Sequence, residues 1–514
     1  FQALIYFSSA FQAISCGIHY LASVFIAITP KFICRAPENI SSVLLPNAST
    51  LRLEDVWELW TPKDYLVVKQ ENGDIWELNQ CSRFKRENTS YLTYSYDGNK
   101  TLFSCSNGYY YDNTNLESSI VTDWHLVCER EWLAKLIQPT FMFGVLIGAV
   151  IFGDIADRPK RGYKLLYRKI YGGVTNFIKM FCMENVESFF FYFQVSSGYY
   201  VVVFVYVTEY VGIKARSWAS MHVHAFFAVG VMIVSLVGFL VRTWWMYQII
   251  LSLTTLPFVL CCWMLPETPF WLYSQGKHKE VEKLIGTIEK WNKISTPCKL
   301  SELCSVQETQ KTEMDTLKKH SVLDLFYNWS FARRTVTVWL IWFTGSLGYY
   351  VFALNSVNLG GNEYLNLFLT SAVEIPSYIV ACFGMDKIGR RNTLAPFLIL
   401  SAVICGIIML IPQDHSTVTI AMSMGGKFSI AVAFGLIYLY TAELYPTIVR
   451  SLAVGSGSMM CRIGSVVAPF CVYLTDVWIF MPQMLVGIMA FLTGVLTLKL
   501  PETLGVPLTS TIEE

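Results

Sequence analysis

Apolar positions along this chain fall in blocks, without a helical or a strand interval. Uncharged apolar stretches recur at 217–241, 243–266, 393–413, 463–475 and 477–498, with short gaps between them. Most are long enough to cross a bilayer as a helix, which takes about twenty residues. Further spans are expected at 335–357, 363–384, 428–444 and 452–475. The apolar stretch 1–30 reads as a first spanning helix, its cytosolic leader lying ahead of the residues given. A cleaved signal peptide fits less well, because no short basic region precedes a small-residue cleavage site. The pattern predicts an all-α polytopic membrane protein.

One long interval breaks it. Residues 31–131 are polar and carry the sequons at Asn39, Asn47, Asn88 and Asn99, which the extracytosolic side would glycosylate. The same interval holds Cys34, Cys81, Cys105 and Cys128. An even count on the oxidising side predicts two disulfides, with three possible connectivities. Cys261 and Cys262 lie in an apolar run and read as packing residues. Asn328-Trp-Ser is also a sequon, but it is expected in the cytosol and unmodified.

Charge sets the orientation. The Lys/Arg-rich segments 157–169, 214–216, 275–334 and 386–391 should be cytosolic, which puts the glycosylated interval outside. The chain of 514 residues is 54% hydrophobic and only 15% charged, against about a quarter charged in soluble proteins. A net charge of +1 without a long basic run excludes a nucleic-acid partner. No nucleotide-binding loop, clustered His/Cys metal spacing or catalytic triad is legible, so no enzyme, cofactor or metal is expected. His222 and His224 stand near a helix start and read as surface or packing residues.

The chain also repeats itself. "YVTEYVGIKAR" (206–216) aligns with "YTAELYPTIVR" (440–450), so that Glu209 and Arg216 recur as Glu443 and Arg450. "DRPKR" (157–161) aligns with "DKIGR" (386–390), and "LPETP" (265–269) with "LPETL" (500–504), at nearly the same offset. Two parallel six-helix halves explain this, a pattern seen in secondary transporters. The expected division is 1–265 for the first half, 266–334 for a cytosolic linker, 335–500 for the second half and 501–514 for a tail. Asp157, Arg158, Glu209 and Arg216 would then face Asp386, Arg390, Arg391, Glu443 and Arg450 at one cytosolic mouth, as a latch that holds it shut. A simpler role is orienting helix ends, but that needs only the basic residues.

"DKIGRR" (386–391), "AELYPTIVR" (442–450), "LPETPFWL" (265–272) and the glycosylated interval together resemble the organic cation, anion and carnitine transporters of solute carrier family 22, in the major facilitator superfamily. The resemblance covers nearly the whole chain and implies twelve transmembrane helices with alternating access around a central site.

Charges deep in a span cost at least about 2.5–3.5 kcal/mol and are site candidates by default. Glu374 and Arg462 lie near the middle of their spans. By the resemblance, cation-specialised members carry an acid at the first position. Anion and carnitine carriers carry an arginine at the second. A zwitterion with a carboxylate and a quaternary ammonium would use one charge of each sign, the ammonium also favouring aromatic faces. Trp342 and Tyr349 match family positions that contact substrate, and Tyr438 and Tyr440 are further candidates. Alternatively, Glu374 and Arg462 pair with each other or with Lys427 to hold helices together, and any single ring is a packing residue.

The expected function is transport of carnitine-like zwitterions and organic cations across the plasma membrane, with the coupled ion unknown. Carnitine is net neutral, so the membrane potential does no work on it, whereas a monocation gains about 2.3 kcal/mol per 100 mV. A rival reading is a polyspecific organic-ion carrier. Another is a decayed carrier kept as a membrane scaffold, motivated by segment 159–187. There the expected third helix carries Lys164, Arg168, Lys169, Lys179, Glu184 and Glu187, and its longest uncharged run, 170–178, is too short to cross.

Overall fold

The structure, a computed structural model, describes residues 6–7, 10–35, 40–44, 66–70, 75–86, 101–114, 116–157, 216–254, 277–293, 325–412 and 415–505, with the single positions 266, 269 and 272. Segment 159–187, Arg158, Glu209 and the four sequon asparagines lie outside the described residues.

Described helices of ten residues or more are α1 (Gln12–Leu21), α2 (Glu131–Asp157), α3 (Arg216–Leu240), α4 (Trp244–Leu253), α5 (His278–Asn292) and α6 (Trp329–Asn355). They continue as α7 (Glu363–Ala372), α8 (Glu374–Lys387), α9 (Arg390–Ile408), α10 (Ser416–Leu444), α11 (Thr447–Tyr473) and α12 (Met481–Thr497). Among the described residues, six helical stretches are long and apolar enough to cross a membrane, one of them formed by α7 and α8 together. The join between α7 and α8 is chemical. Pro376 has no N–H to give the Ala372 carbonyl, so the hydrogen-bond ladder skips a rung at the level of Glu374. Helix α10 ends at Leu444 because Pro446 forces Tyr445 into an extended conformation (φ −115°, ψ 144°).

The described residues form two compact units. One comprises Phe1–Leu21, Gln138–Val237 and Ile249–Glu514; the other comprises Ala22–Ile137 and Gly238–Gln248. In the first unit α6 packs against α10 and α11, and α9 packs against α10 and α12. Helices α1 and α3 meet backbone to backbone. A Cβ on Gly17 would collide with the Phe227 carbonyl, and one on Gly230 with the Ile14 carbonyl. Small residues let membrane helices approach this closely, and dispersion rather than hydrophobicity then holds them together.

The second unit, in the polar interval, is built on strands. It holds β1 (Phe32–Cys34), β2 (Ile40–Leu44), β3 (Leu66–Gln70), β4 (Ile75–Leu78), β5 (Arg83–Arg86), β6 (Thr101–Phe103) and β7 (Tyr109–Tyr111). Strands β2 to β6 form an antiparallel meander, and β1 pairs with β7. The disulfides are Cys34–Cys105 and Cys81–Cys128, closing separations of 71 and 47 residues. Taken singly, loops of that size stabilise by on the order of 4 kcal/mol. Such staples matter in a small unit with little core of its own. The Arg83 guanidinium adds bonds to the Arg35 carbonyl (3.2 Å) and to Ser106 Oγ (3.0 Å).

Because a carbonyl cannot yield as a flexible side chain can, Gly17→Val and Gly230→Val should each lower the stability of the purified protein by about 3 kcal/mol or more. Thermal unfolding in detergent measures this. Gly286→Ala, on α5 with nothing within 4 Å of the new Cβ, should be neutral or slightly stabilising.

Candidate functional site

Arg462 stands midway along α11 and is only 5% exposed. It lines a cavity in the first unit whose space for water is about 30 Å³. Tyr20, Tyr350, Tyr438 and Cys461 surround the guanidinium. Its Nε and Nη2 meet no hydrogen-bond acceptor. A buried cation without an anion costs several kcal/mol. The guanidinium fork therefore favours any carboxylate that can reach it and bind through two parallel hydrogen bonds. The rest of the wall is largely aromatic. Phe227 and His224 come from α3, Tyr349 from α6, Tyr378 from α8 and Phe434 from α10. Tyr349 and Phe434 lie 5.6 Å apart between ring centroids. Space of this size holds about one water, so a larger guest enters only when these rings part.

Glu374 is placed otherwise than a guest-binding acid would be. It is 1% exposed, and its carboxylate is occupied from within the chain. Lys427 Nζ is 3.0 Å from Oε1. The Tyr349 and Tyr378 hydroxyls donate to Oε2 at 2.9 and 3.0 Å. Lys427 also donates to the Tyr349 carbonyl at 3.0 Å and stands 3.1 Å from the Tyr349 ring centroid. In a low dielectric, opposite charges close enough to meet do so at hydrogen-bond distance. Of the two partners weighed for Glu374, the chain's own lysine has it, and the carboxylate lies behind the cavity wall. Tyr349 and Tyr378 connect the two, each lining the cavity while bonding Glu374.

The remaining candidates separate. Tyr438 is in the wall. Trp342 is fully buried behind it, with ring centroids 4.4 Å apart and its indole N–H donating to Thr441 Oγ1 at 3.0 Å. Tyr440 faces away from the wall and donates to the Pro501 carbonyl at 2.7 Å. Two residues along a helix is a turn of about 200°, so Tyr438 and Tyr440 cannot share a face. His224, expected as surface or packing, is buried and lines the cavity, whereas His222 is exposed. Tyr20, Phe227, Tyr350, Tyr378, Phe434 and Cys461 were not anticipated. A helical signal for some of them existed: Tyr378 is four residues from Glu374, and Phe434 and Tyr438 follow Lys427 at seven and eleven.

Of the charges expected at the mouth, Arg390 and Glu443 are engaged with each other. Arg390 meets Glu443 through Nε (2.9 Å) and Nη2 (3.0 Å), and Thr503 donates to Glu443 Oε2 at 2.7 Å. Glu502, in the "LPETL" copy, accepts the backbone N–H of Arg390 (2.8 Å) and Asn392 (3.2 Å) at the start of α9. It also accepts those of Thr503 and Leu504. Partial burial pushes the Glu502 carboxyl up, but these four bonds pull it down further, leaving it below the usual carboxylate range. Gly389 is required beside it on two counts: its φ is +109°, and a Cβ would lie 2.6 Å from the Glu502 carboxylate. Arg391 donates to the Leu500 carbonyl at 3.2 Å. Asp386 sits on α8 and Arg450 on α11. Asp157 and Arg216 close α2 and open α3.

A membrane bundle with one buried cation facing an aromatic cavity is built to receive a small molecule. The model of the Sugar (and other) transporter family matches residues 88–513. Over its whole length the chain is 84% identical to solute carrier family 22 member 16 of Xenopus laevis, of which it covers 91%. It is 56% identical to the Homo sapiens protein of that description, covering 90% of it. It is 34% identical to organic cation/carnitine transporter 2 of Homo sapiens, again over the whole chain and 91% of the relative. Among solved structures, the major facilitator superfamily proton:xylose symporter XylE, bound to 6-bromo-6-deoxy-D-glucose, has a TM-score of 0.56. That match has 17% identity over 76% of this chain and 90% of that one, a likeness of fold alone. The protein is a multi-pass membrane transporter with the twelve-helix major facilitator fold. It belongs to solute carrier family 22.

Two outcomes follow from the buried pair and the mouth cluster. Glu374→Gln or Lys427→Met alone should destabilise the carrier by about 3–5 kcal/mol, since each leaves an unmatched buried charge. The double variant should recover much of that loss, as read by thermal unfolding of the purified protein. Glu502→Gln should cost most stability at neutral pH. A depressed carboxylate contributes fully above its unfolded pKa, and the contribution is lost as pH falls through the folded one. The gap between wild type and variant should therefore shrink below about pH 4.

Proposed function

We propose that this transporter carries carnitine-like zwitterions across the plasma membrane by alternating access between the halves 1–265 and 335–500. The observation that carries the reading is the buried Arg462 guanidinium, with donors unmatched, facing a cavity walled by aromatic rings. The guest's carboxylate binds Arg462. Its quaternary ammonium, which has no hydrogen to donate, lies against the faces of Tyr349, Tyr350, Phe434 and their neighbours. Glu374 and Lys427 neutralise each other behind the wall, so the charge offered to a guest from Glu374, Lys427 and Arg462 is a single positive one.

That balance narrows the expected substrates. A simple monocation meets a net positive site, so the polyspecific cation reading is the weaker of the two. The likeness to organic cation/carnitine transporter 2 is compatible with either class of guest. Asp157, Arg158, Glu209, Arg216, Asp386, Arg390, Arg391, Glu443 and Arg450 are the proposed cytosolic latch. Asn39, Asn47, Asn88 and Asn99 are the proposed glycan sites on the outer interval.

Labelled L-carnitine uptake in cells expressing the chain tests this, at surface levels matched by biotinylation. Wild type should accumulate it. Arg462→Ala should raise KM by roughly 30-fold or more, the cost of stranding one member of a buried charge pair. Uptake of tetraethylammonium in preference to carnitine would overturn the reading, and so would Arg462→Ala uptake equal to wild type.

A further inference from the structure

Cys461 precedes Arg462 on α11 and lines the same cavity, 2% exposed. Its thiol lies against the guanidinium, within reach of a hydrogen bond from it. The described free cysteines Cys16, Cys382, Cys405 and Cys471 are buried too, but none of them lines the cavity. A thiol that is merely buried is inert. What sets this one apart is the company it keeps. Arg462 Nε and Nη2 meet no acceptor, and neither does the Tyr20 hydroxyl, which is 3% exposed and lines the cavity from α1. Donors open to an anion thus stand in one wall with a nucleophile.

We propose that Cys461 is a covalent modification site for small electrophilic carboxylates, steered to the thiol by Arg462. The inference rests on the carboxylate-binding role given to Arg462 above, whatever the rest of the guest. A haloacetate is the simplest such reagent, because its reactive carbon is bonded directly to its carboxylate carbon. Like any guest larger than a water, it enters when the rings part. Held by the guanidinium fork, it brings that carbon to the neighbouring sulfur. In the reaction the thiol gives its proton to water, Sγ bonds the α-carbon, and iodide leaves with the electron pair of the broken C–I bond. The product, an S-carboxymethyl group, keeps its carboxylate beside Arg462. Iodoacetamide, the neutral amide of the same shape, forms the same S–C bond without the steering.

Membrane vesicles from cells expressing the full chain are treated with iodoacetate or iodoacetamide, and the adduct on the peptide containing Cys461 is followed by mass spectrometry. The iodoacetate-to-iodoacetamide rate ratio at Cys461 is divided by the same ratio for glutathione, which removes the intrinsic difference between the reagents. That quotient should be about 10 or more, the low end for a hydrogen bond to a charged group. Arg462→Gln should bring it to parity. A wild-type quotient near parity overturns the inference, as does a quotient unchanged in Arg462→Gln or the lack of an adduct with either reagent. Should Arg462→Gln fail to reach the membrane, the wild-type quotient decides. Saturating L-carnitine should slow carboxymethylation in wild type. A high quotient with a rate that L-carnitine does not slow supports this inference and counts against the zwitterion reading, so the two fail separately.

Discussion

The cost of an ion in a low dielectric governs the interior of this carrier. Among the described residues of the second half, three charged side chains are buried: Glu374, Lys427 and Arg462. Two cancel at 3.0 Å, with both tyrosine hydroxyls and a carbonyl completing the set. The third does not cancel. A helix that holds an arginine midway across a membrane with two N–H groups unmatched is unstable relative to one carrying an apolar residue. Such a residue is retained where binding offsets the penalty, so the proposed preference for an anionic group would follow from the site's instability when empty.

The Glu374–Lys427 pair has a second consequence. It anchors Tyr349 and Tyr378, which also form the cavity wall, so the rings that would meet an ammonium are oriented by a charge pair behind that wall. Cation–π attraction depends on where the ring face points, and a tyrosine bonded to a buried carboxylate has little freedom to turn. Trp342 plays the same part for Tyr438 from the other side, itself held by Thr441. The wall is thus positioned by a layer behind it.

Much of this was legible in the residues. Blocked hydrophobicity located the spans, the recurring Glu and Arg with their flanking motifs suggested two halves, and two mid-span charges suggested a candidate site. Contacts across helices were not legible, because spacing along one helix carries no register relative to another. Lys427 was visible as a possible partner for Glu374, but only packing of α8 against α10 made it the one. A two-residue angle sets Tyr440 apart from Tyr438, and His224, expected as surface or packing, is buried. The strands of the outer unit were signalled locally. Asn72-Gly73 lies between β3 and β4, and Asp97-Gly98 between β5 and β6, both strong hairpin dipeptides. Their polar composition hid them among sequons and cysteines.

The mouth cluster bears on how the second half moves. Arg390, Glu443, Glu502 and Thr503 satisfy one another, and they tie the ends of α9 and α10 to the segment after α12. A latch residue already matched within its own half gains little from a partner across the mouth, since the same charge cannot be neutralised twice. Its work is then mostly internal, keeping the ends of three helices in one piece. A rigid half would concentrate motion at the interface with the other half, as the proposed alternating access by rocking needs. Within the proposed latch, Arg390 and Glu443 would on this view stiffen their own half as well as help to hold the mouth shut.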